Sequence, residues 1–84
     1  MRIDELSPGQ TATVSRIDET GAAARDGLRL RELGFDEGVE VELRHRGLFG
    51  GDPISVRVGG NVVAMRRAFA RLVEVSVPVA EAAE

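Results

Sequence analysis

Alternating hydrophobic and polar positions along the chain predict several short β-strands. The alternation is clearest at 39–44 and at 54–58, where valine, leucine or isoleucine takes every second position. A period of two residues is typical of a strand with one buried face. Three further strands are predicted where β-branched residues are frequent, at 10–17, 62–65 and 72–77. Ile17 is out of phase by one residue, which predicts a β-bulge or the end of the first strand.

Helical patterns occupy less of the chain than strand patterns. Residues 22–33 carry the one longer helical segment, with Asp26 as a candidate N-cap. Gly34 stands where a left-handed residue ends a helix, and Phe35 is expected to fold back over the last turn. A second, single helical turn is predicted at 66–71, because apolar residues there switch to helical spacing.

Five short antiparallel strands joined by tight turns favour an all-β fold. A flat sheet of this size would leave one apolar face in water, so we expect it to curl into a small β-barrel. Residues 1–77 are predicted to form one domain, and 78–84 a flexible C-terminal tail. The predicted core consists of Val14, Leu30, Leu33, Phe35, Val41, Leu43, Ile54, Val56, Val58, Met65, Phe69, Leu72 and Val75.

Composition indicates a soluble globular protein. The 84 residues are 43% hydrophobic and 30% charged, and they contain no cysteine. No apolar stretch approaches the roughly 20 residues of a membrane span. The N-terminus turns acidic at once, unlike a signal peptide, so a cytoplasmic location is expected. Met1 lies just before the first strand, which favours a free-standing protein over a fragment.

The charges are unevenly distributed along the chain. All eleven basic residues are arginine, and the net charge is -3. The first 42 residues are acidic, whereas the second half carries a small positive excess. An acidic chain without Tyr or Trp is a poor candidate for binding nucleic acid, so no nucleic-acid partner is expected.

Candidate catalytic and metal-binding residues are few. His45 is the only histidine, and with no cysteine it lacks partners for a metal site or for general-base chemistry. Glu40 and Glu42 share the solvent face of a strand, without the spacing of a calcium loop. The glycine-rich stretches lack the features of a phosphate loop. We therefore expect no enzymatic activity, no metal site and no cofactor.

Two features point to a protein-binding function. Leu48 and Phe49 are adjacent large apolar residues in a glycine-rich loop, which predicts either a partner-binding tip or a plug in the barrel mouth. Arg57, Arg66 and Arg67, together with Arg71, are expected to form a positive end. A cluster of this kind is most often only a solvent-exposed face. Arginine also binds carboxylates bidentately, however, and this favours docking to an acidic partner.

Several motifs in order resemble the FeoA family of bacterial ferrous iron uptake. They are Leu6-Ser7-Pro8-Gly9, Leu30-Arg31-Glu32-Leu33-Gly34-Phe35-Asp36-Glu37-Gly38, Gly51-Asp52-Pro53-Ile54, Val58-Gly59-Gly60 and Ala64-Met65-Arg66-Arg67. The resemblance spans residues 6–77. It implies an SH3-like barrel and an accessory protein without catalytic residues.

The resemblance also implies a partner, the membrane iron transporter FeoB with its cytoplasmic GTP-binding domain. The protein would then reach the membrane only through that partner, and weak self-association remains open. One alternative is a metal-sensing or regulatory domain, because the same fold occurs as the C-terminal domain of DtxR-type repressors. Another is activation of the transporter's GTP hydrolysis, with the Arg66-Arg67 pair supplying an arginine finger.

Overall fold

A computed structural model describes residues 1–77 as five strands and two short helices. The elements are β1 (Thr11–Ile17), α1 (Ala24–Glu32), β2 (Glu40–Gly47), β3 (Gly51–Val58), β4 (Asn61–Met65), α2 (Arg67–Ala70) and β5 (Val73–Ser76). Single 3₁₀ turns lie at Ile3–Glu5 and Gly21–Ala23. The predicted tail at 78–84 lies outside the described residues.

All five strands form one antiparallel sheet in the order β4-β3-β2-β1-β5. Met65 of β4 and Val75 of β5 belong to the same hydrophobic core, although their strands lie at opposite ends of the sheet. The sheet therefore curls around the core, and the predicted all-β architecture is confirmed. No helix within the described residues is long and apolar enough to span a membrane.

A bulge in β1 explains why Ile17 breaks the alternation. The pairing of β1 with β5 runs from Val14 opposite Val75 to Arg16 opposite Glu74, so β1 carries one extra residue. This shift returns the Ile17 side chain to the core, where it is only 4% exposed. The predicted bulge is confirmed.

The end of α1 follows the prediction, but its start does not. Gly34 has a φ of +109°, and the amide of Phe35 donates to the carbonyl of Leu30 at 3.0 Å. Phe35 is fully buried as a result. The helix begins at Ala24 after a 3₁₀ turn, so Asp26 lies within the first turn and is not the N-cap.

The core differs from the predicted one mainly at the N-terminus. Ile3 begins the first 3₁₀ turn and Leu6 follows it, and both are fully buried, because the amide of Val75 donates to the carbonyl of Met1 and anchors this segment beside β5. Leu33 was predicted to lie in the core but is 40% exposed, so this prediction was wrong. Core residues that the pattern missed are Ile3, Leu6, Ala12, Ile17, Ala70 and Val73, while Phe69 and Leu72 are only partly buried.

Candidate protein-binding site

Leu48 and Phe49, which we call the hairpin tip, project from the turn between β2 and β3. Leu48 is 96% exposed and Phe49 is 86% exposed. Neither side chain fills the barrel mouth, so the alternative of a plug does not fit. Two neighbouring large apolar side chains left in water are unusual outside interaction sites.

The hairpin behind the tip is closely packed. A Cβ atom on Gly47 would lie 2.6 Å from the carbonyl oxygen of Pro53, so only glycine fits the close approach of the two strands. The guanidinium of Arg46 donates to the carbonyls of Asp4 at 2.7 Å and Leu6 at 2.5 Å. These bonds attach the hairpin to the N-terminal turn, and the tip therefore projects from a fixed base.

Arg67 connects the hairpin to α2 and to the N-terminal turn. Its backbone amide donates to Asp52 Oδ1 at 3.0 Å, at the first residue of α2. Its guanidinium donates to the carbonyl of Gly50 at 3.2 Å and to Asp4 Oδ2 at 3.3 Å. The carboxylate of Asp4 is 3% exposed, and its Oδ1 atom has no hydrogen-bond partner among residues 1–77.

A cavity of about 380 Å³, which we call the tip cavity, opens beside Phe49. Its lining combines an aromatic ring with both signs of charge. The lining residues are Asp4, Phe49, Gly50, Asp52, Arg67, Ala68 and Arg71. Such a surface suits a partner segment with an apolar side chain flanked by polar groups.

Of the five predicted site residues, two line this cavity, two are their direct neighbours in sequence, and one lies elsewhere. Phe49 and Arg67 line the cavity, Leu48 adjoins Phe49, and Arg66 precedes Arg67. Arg66 is exposed and forms no ion pair within the described part of the chain. Its charge is therefore available to a partner.

Arg57 does not belong to the same positive end. It lies on β3 opposite Val62, about 13 Å along the strand direction from Arg66 at the strand rise of about 3.3 Å per residue. Its guanidinium pairs with Glu42 at 3.0 Å and Glu40 at 3.1 Å. The hydrogen bond from Arg57 lowers the pKa of Glu42, as expected for a carboxylate beside a permanent cation. The predicted arginine cluster is therefore divided.

Asp4 and Asp52 line the cavity but were not predicted as site residues, whereas Arg71, which also lines it, was expected in the positive end. Asp52 follows a glycine pair and precedes a proline, and this turn signal could have indicated it. Asp4 meets Arg67 across 63 positions of sequence, and no local pattern indicates such a contact.

His45 lies exposed on β2 opposite Ser55. Within residues 1–77, no three histidine, aspartate or glutamate side chains converge as they would around a metal ion. The carboxylates near Arg31 are instead held by that guanidinium. Arg31 bonds Glu19, Asp36 and Glu37 at 2.8–3.0 Å and lowers the pKa of Glu37 to about 2.

A small five-stranded antiparallel sheet that curls around one core is typical of an SH3-like fold. The model of the FeoA domain matches residues 1–77. The chain belongs to the FeoA family. No curated protein sequence matches it.

Solved structures agree with this assignment. The zinc complex of FeoA from Stenotrophomonas maltophilia is 37% identical, with a TM-score of 0.81 over 90% of this chain and 89% of that one. It is a prokaryotic SH3 domain protein for which a role as a ferrous iron transport activating factor has been proposed. FeoA from Chlorobium tepidum is 32% identical, with a TM-score of 0.73 over 92% and 70% of the two chains.

A manganese-dependent transcriptional repressor is similar in fold alone. It is 22% identical, with a TM-score of 0.80, and the similarity covers 93% of this chain but 41% of the repressor. The SH3-like fold is thus shared by iron-transport proteins and by one part of a larger regulator.

Proposed function

We propose that this protein is a non-enzymatic accessory protein of bacterial ferrous iron uptake. In this proposal it works in the cytoplasm and binds the cytoplasmic part of a FeoB-like membrane transporter. The hairpin tip and the tip cavity form the binding site. The observation that carries the proposal is the near-complete exposure of Leu48 and Phe49 on a closely packed hairpin.

The energetics of the tip favour a protein partner. Burying a leucine or phenylalanine side chain contributes roughly 1.5–3 kcal/mol. The backbone behind the tip is held by hydrogen bonds before binding, so little backbone conformational entropy is lost when a partner covers the tip. Arg66 adds a charge that an acidic partner surface can meet, and we expect it to raise the association rate more than the final affinity.

The first test is binding to the purified cytoplasmic domain of a FeoB-like transporter. The double variant Leu48→Ser/Phe49→Ser is expected to bind at least about tenfold more weakly, because even part of the lost burial exceeds 1.4 kcal/mol. Leu28→Ser is the matched control, since Leu28 is 57% exposed on α1, outside the tip cavity. Unchanged affinity in a folded double variant rejects the hairpin tip as the site.

The role of Arg66 has a separate test. Arg66→Ala is expected to slow association and to weaken its dependence on ionic strength, with little effect on folding. Transporter GTP hydrolysis is measured in the same mixtures. A rate increase with the parent protein that is lost with Arg66→Ala would support the arginine-finger alternative instead of simple docking.

The metal-sensing alternative has support from fold similarity only. Calorimetry with ferrous or manganous ion tests it directly. Saturable heat that disappears in His45→Ala would favour that alternative over the accessory role.

A further inference from the structure

A second surface lies at the edge of the sheet, away from the hairpin tip. An apolar groove of about 330 Å³, which we call the β4 groove, runs between the end of α1 and β4. Its size is at the lower end of the roughly 300–1,000 Å³ range of ligand pockets, which suits side chains of a peptide. The groove is lined by Arg29, Leu33, Val63, Ala64, Met65 and Phe69.

Leu33 in the groove lining is more exposed than the pattern predicts. It was expected in the core but is 40% exposed. It does not line the tip cavity. The groove therefore presents an apolar surface of its own.

The main chain of β4 is also open on one side. β4 is the last strand of the sheet and pairs only with β3 within residues 1–77. The two-residue turn makes Val58 and Asn61 the hydrogen-bonded pair that closes the hairpin. Since such pairs alternate, the amide and carbonyl groups of Val62 and Ala64 point away from β3. A free edge of this kind accepts an added strand.

The charged residue in the groove lining is positive. The guanidinium of Arg29 lies over the ring of Phe69, 5.9 Å from its centroid. Arg29 forms no ion pair within the described part of the chain. A carboxylate on a bound segment would find a partner there.

These features select between the two occupants that an open edge can take. A second copy of the chain, pairing β4 with β4, would bring an uncharged strand, Asn61–Met65, followed by another Arg66. It would offer Arg29 no carboxylate. A partner strand with an apolar and an acidic residue two positions apart, on the face turned towards α1, satisfies the groove, the open main chain and Arg29 together.

We propose that the β4 edge binds an extended acidic segment of a partner protein. The segment adds a strand to β4 and inserts an apolar side chain into the β4 groove. A carboxylate on the same face of the segment lies beside Arg29. Because this surface is separate from the hairpin tip, the protein can hold two different segments at once, which goes beyond the function proposed above.

The test uses a labelled nonapeptide that carries leucine and glutamate two residues apart, on one face of a strand, and the same peptide with glutamine for glutamate. Amide shifts of the ¹⁵N-labelled full chain are expected at Val62, Ala64 and Leu33. The glutamine peptide is expected to bind about two- to fivefold more weakly, as for an exposed ion pair. The tip variant Leu48→Ser/Phe49→Ser should bind the peptide unchanged, which separates this proposal from the first one.

Two variants sharpen the test. Arg29→Glu is expected to abolish the preference for the acidic peptide, whereas Arg44→Glu, at an exposed arginine of β2 outside the groove, is expected to keep it. Ala64→Pro removes only the outward-pointing amide and should weaken both peptides. If Ala64→Pro does not fold, the two charge variants decide the question.

Three outcomes would overturn the proposal. The first is the absence of shifts along β4 at millimolar peptide. The second is equal binding of the acidic and the glutamine peptide. The third is a set of β4 shifts that depend on protein concentration without any peptide, which would make a second copy the occupant.

Discussion

Replacing Gly27 by alanine sets two physical effects against each other. Gly27 lies inside α1, where glycine is normally about 1 kcal/mol less favourable than alanine. The residue is buried because the helix passes close to the loop after β1. A Cβ atom at this position would lie 2.5 Å from Glu19 Cγ and 2.9 Å from the carbonyl oxygen of Asp18.

The contacts of Glu19 decide which effect is larger. A free glutamate could turn away, but both carboxylate oxygens of Glu19 are bonded to Arg31 at 2.8 and 2.9 Å. The carbonyl of Asp18 is backbone and cannot turn away. Overpacking of this kind destabilises by roughly 1–3 kcal/mol. After subtracting the propensity gain, we expect Gly27→Ala to lower the free energy of unfolding by about 1 kcal/mol.

Thermal and urea unfolding followed by circular dichroism measure this effect. For a chain of this length, the expected loss corresponds to a fall in Tm of roughly 4–8 °C. In a Glu19→Ala background the same substitution should destabilise less, because the nearest atom has been removed. An increase of about 1 kcal/mol in the Gly27→Ala protein would refute the reasoning, since the helix propensity alone would then account for the result.

Further predictions concern the core, the hairpin and the response to acid. Phe35→Ala should destabilise by about 3–5 kcal/mol in urea unfolding, because the ring is fully buried. Gly47→Ala should displace the hairpin tip, because the added Cβ would clash with the carbonyl groups of Asp52 and Pro53, and amide shifts confined to the hairpin would show it. The pKa of Glu37 falls from 4.5 to about 2 beside Arg31, so its stabilising contribution is present above pH 4.5 and is lost as the pH falls towards 2. The urea midpoint of Arg31→Ala should therefore fall less over this pH range than that of the parent; equal falls would contradict the assignment.

The strands were predictable because their signal is local. Alternation at 39–44 and 54–58 reflects the two faces of a strand, whichever strand lies beside it. The end of α1 was equally readable, since the left-handed conformation at Gly34 depends on glycine itself. The start of α1 was not predictable, because its N-cap residue, Ala23, has no side chain that can form a capping hydrogen bond.

The candidate site was only partly predictable. The exposure of Leu48 and Phe49 follows from a glycine-rich turn, but the cavity beside them depends on Asp4 and Arg67, far apart in the chain. The separation of Arg57 from Arg66 follows from the β3–β4 register. The number of charges in the second half of the chain does not show how far apart these residues lie.

The sequence by itself determined the all-β class, the turns and the family, because these depend on short-range patterns and on motifs in a fixed order. Only the tertiary structure decided which apolar residues are covered. Ile3 and Leu6 are buried because the N-terminal segment is anchored to β5, and Leu33 stays exposed because no element described here covers the end of α1 beside β4. Burial depends on residues that are far away in the sequence, and a local hydrophobic pattern cannot show which of them pack against a given side chain.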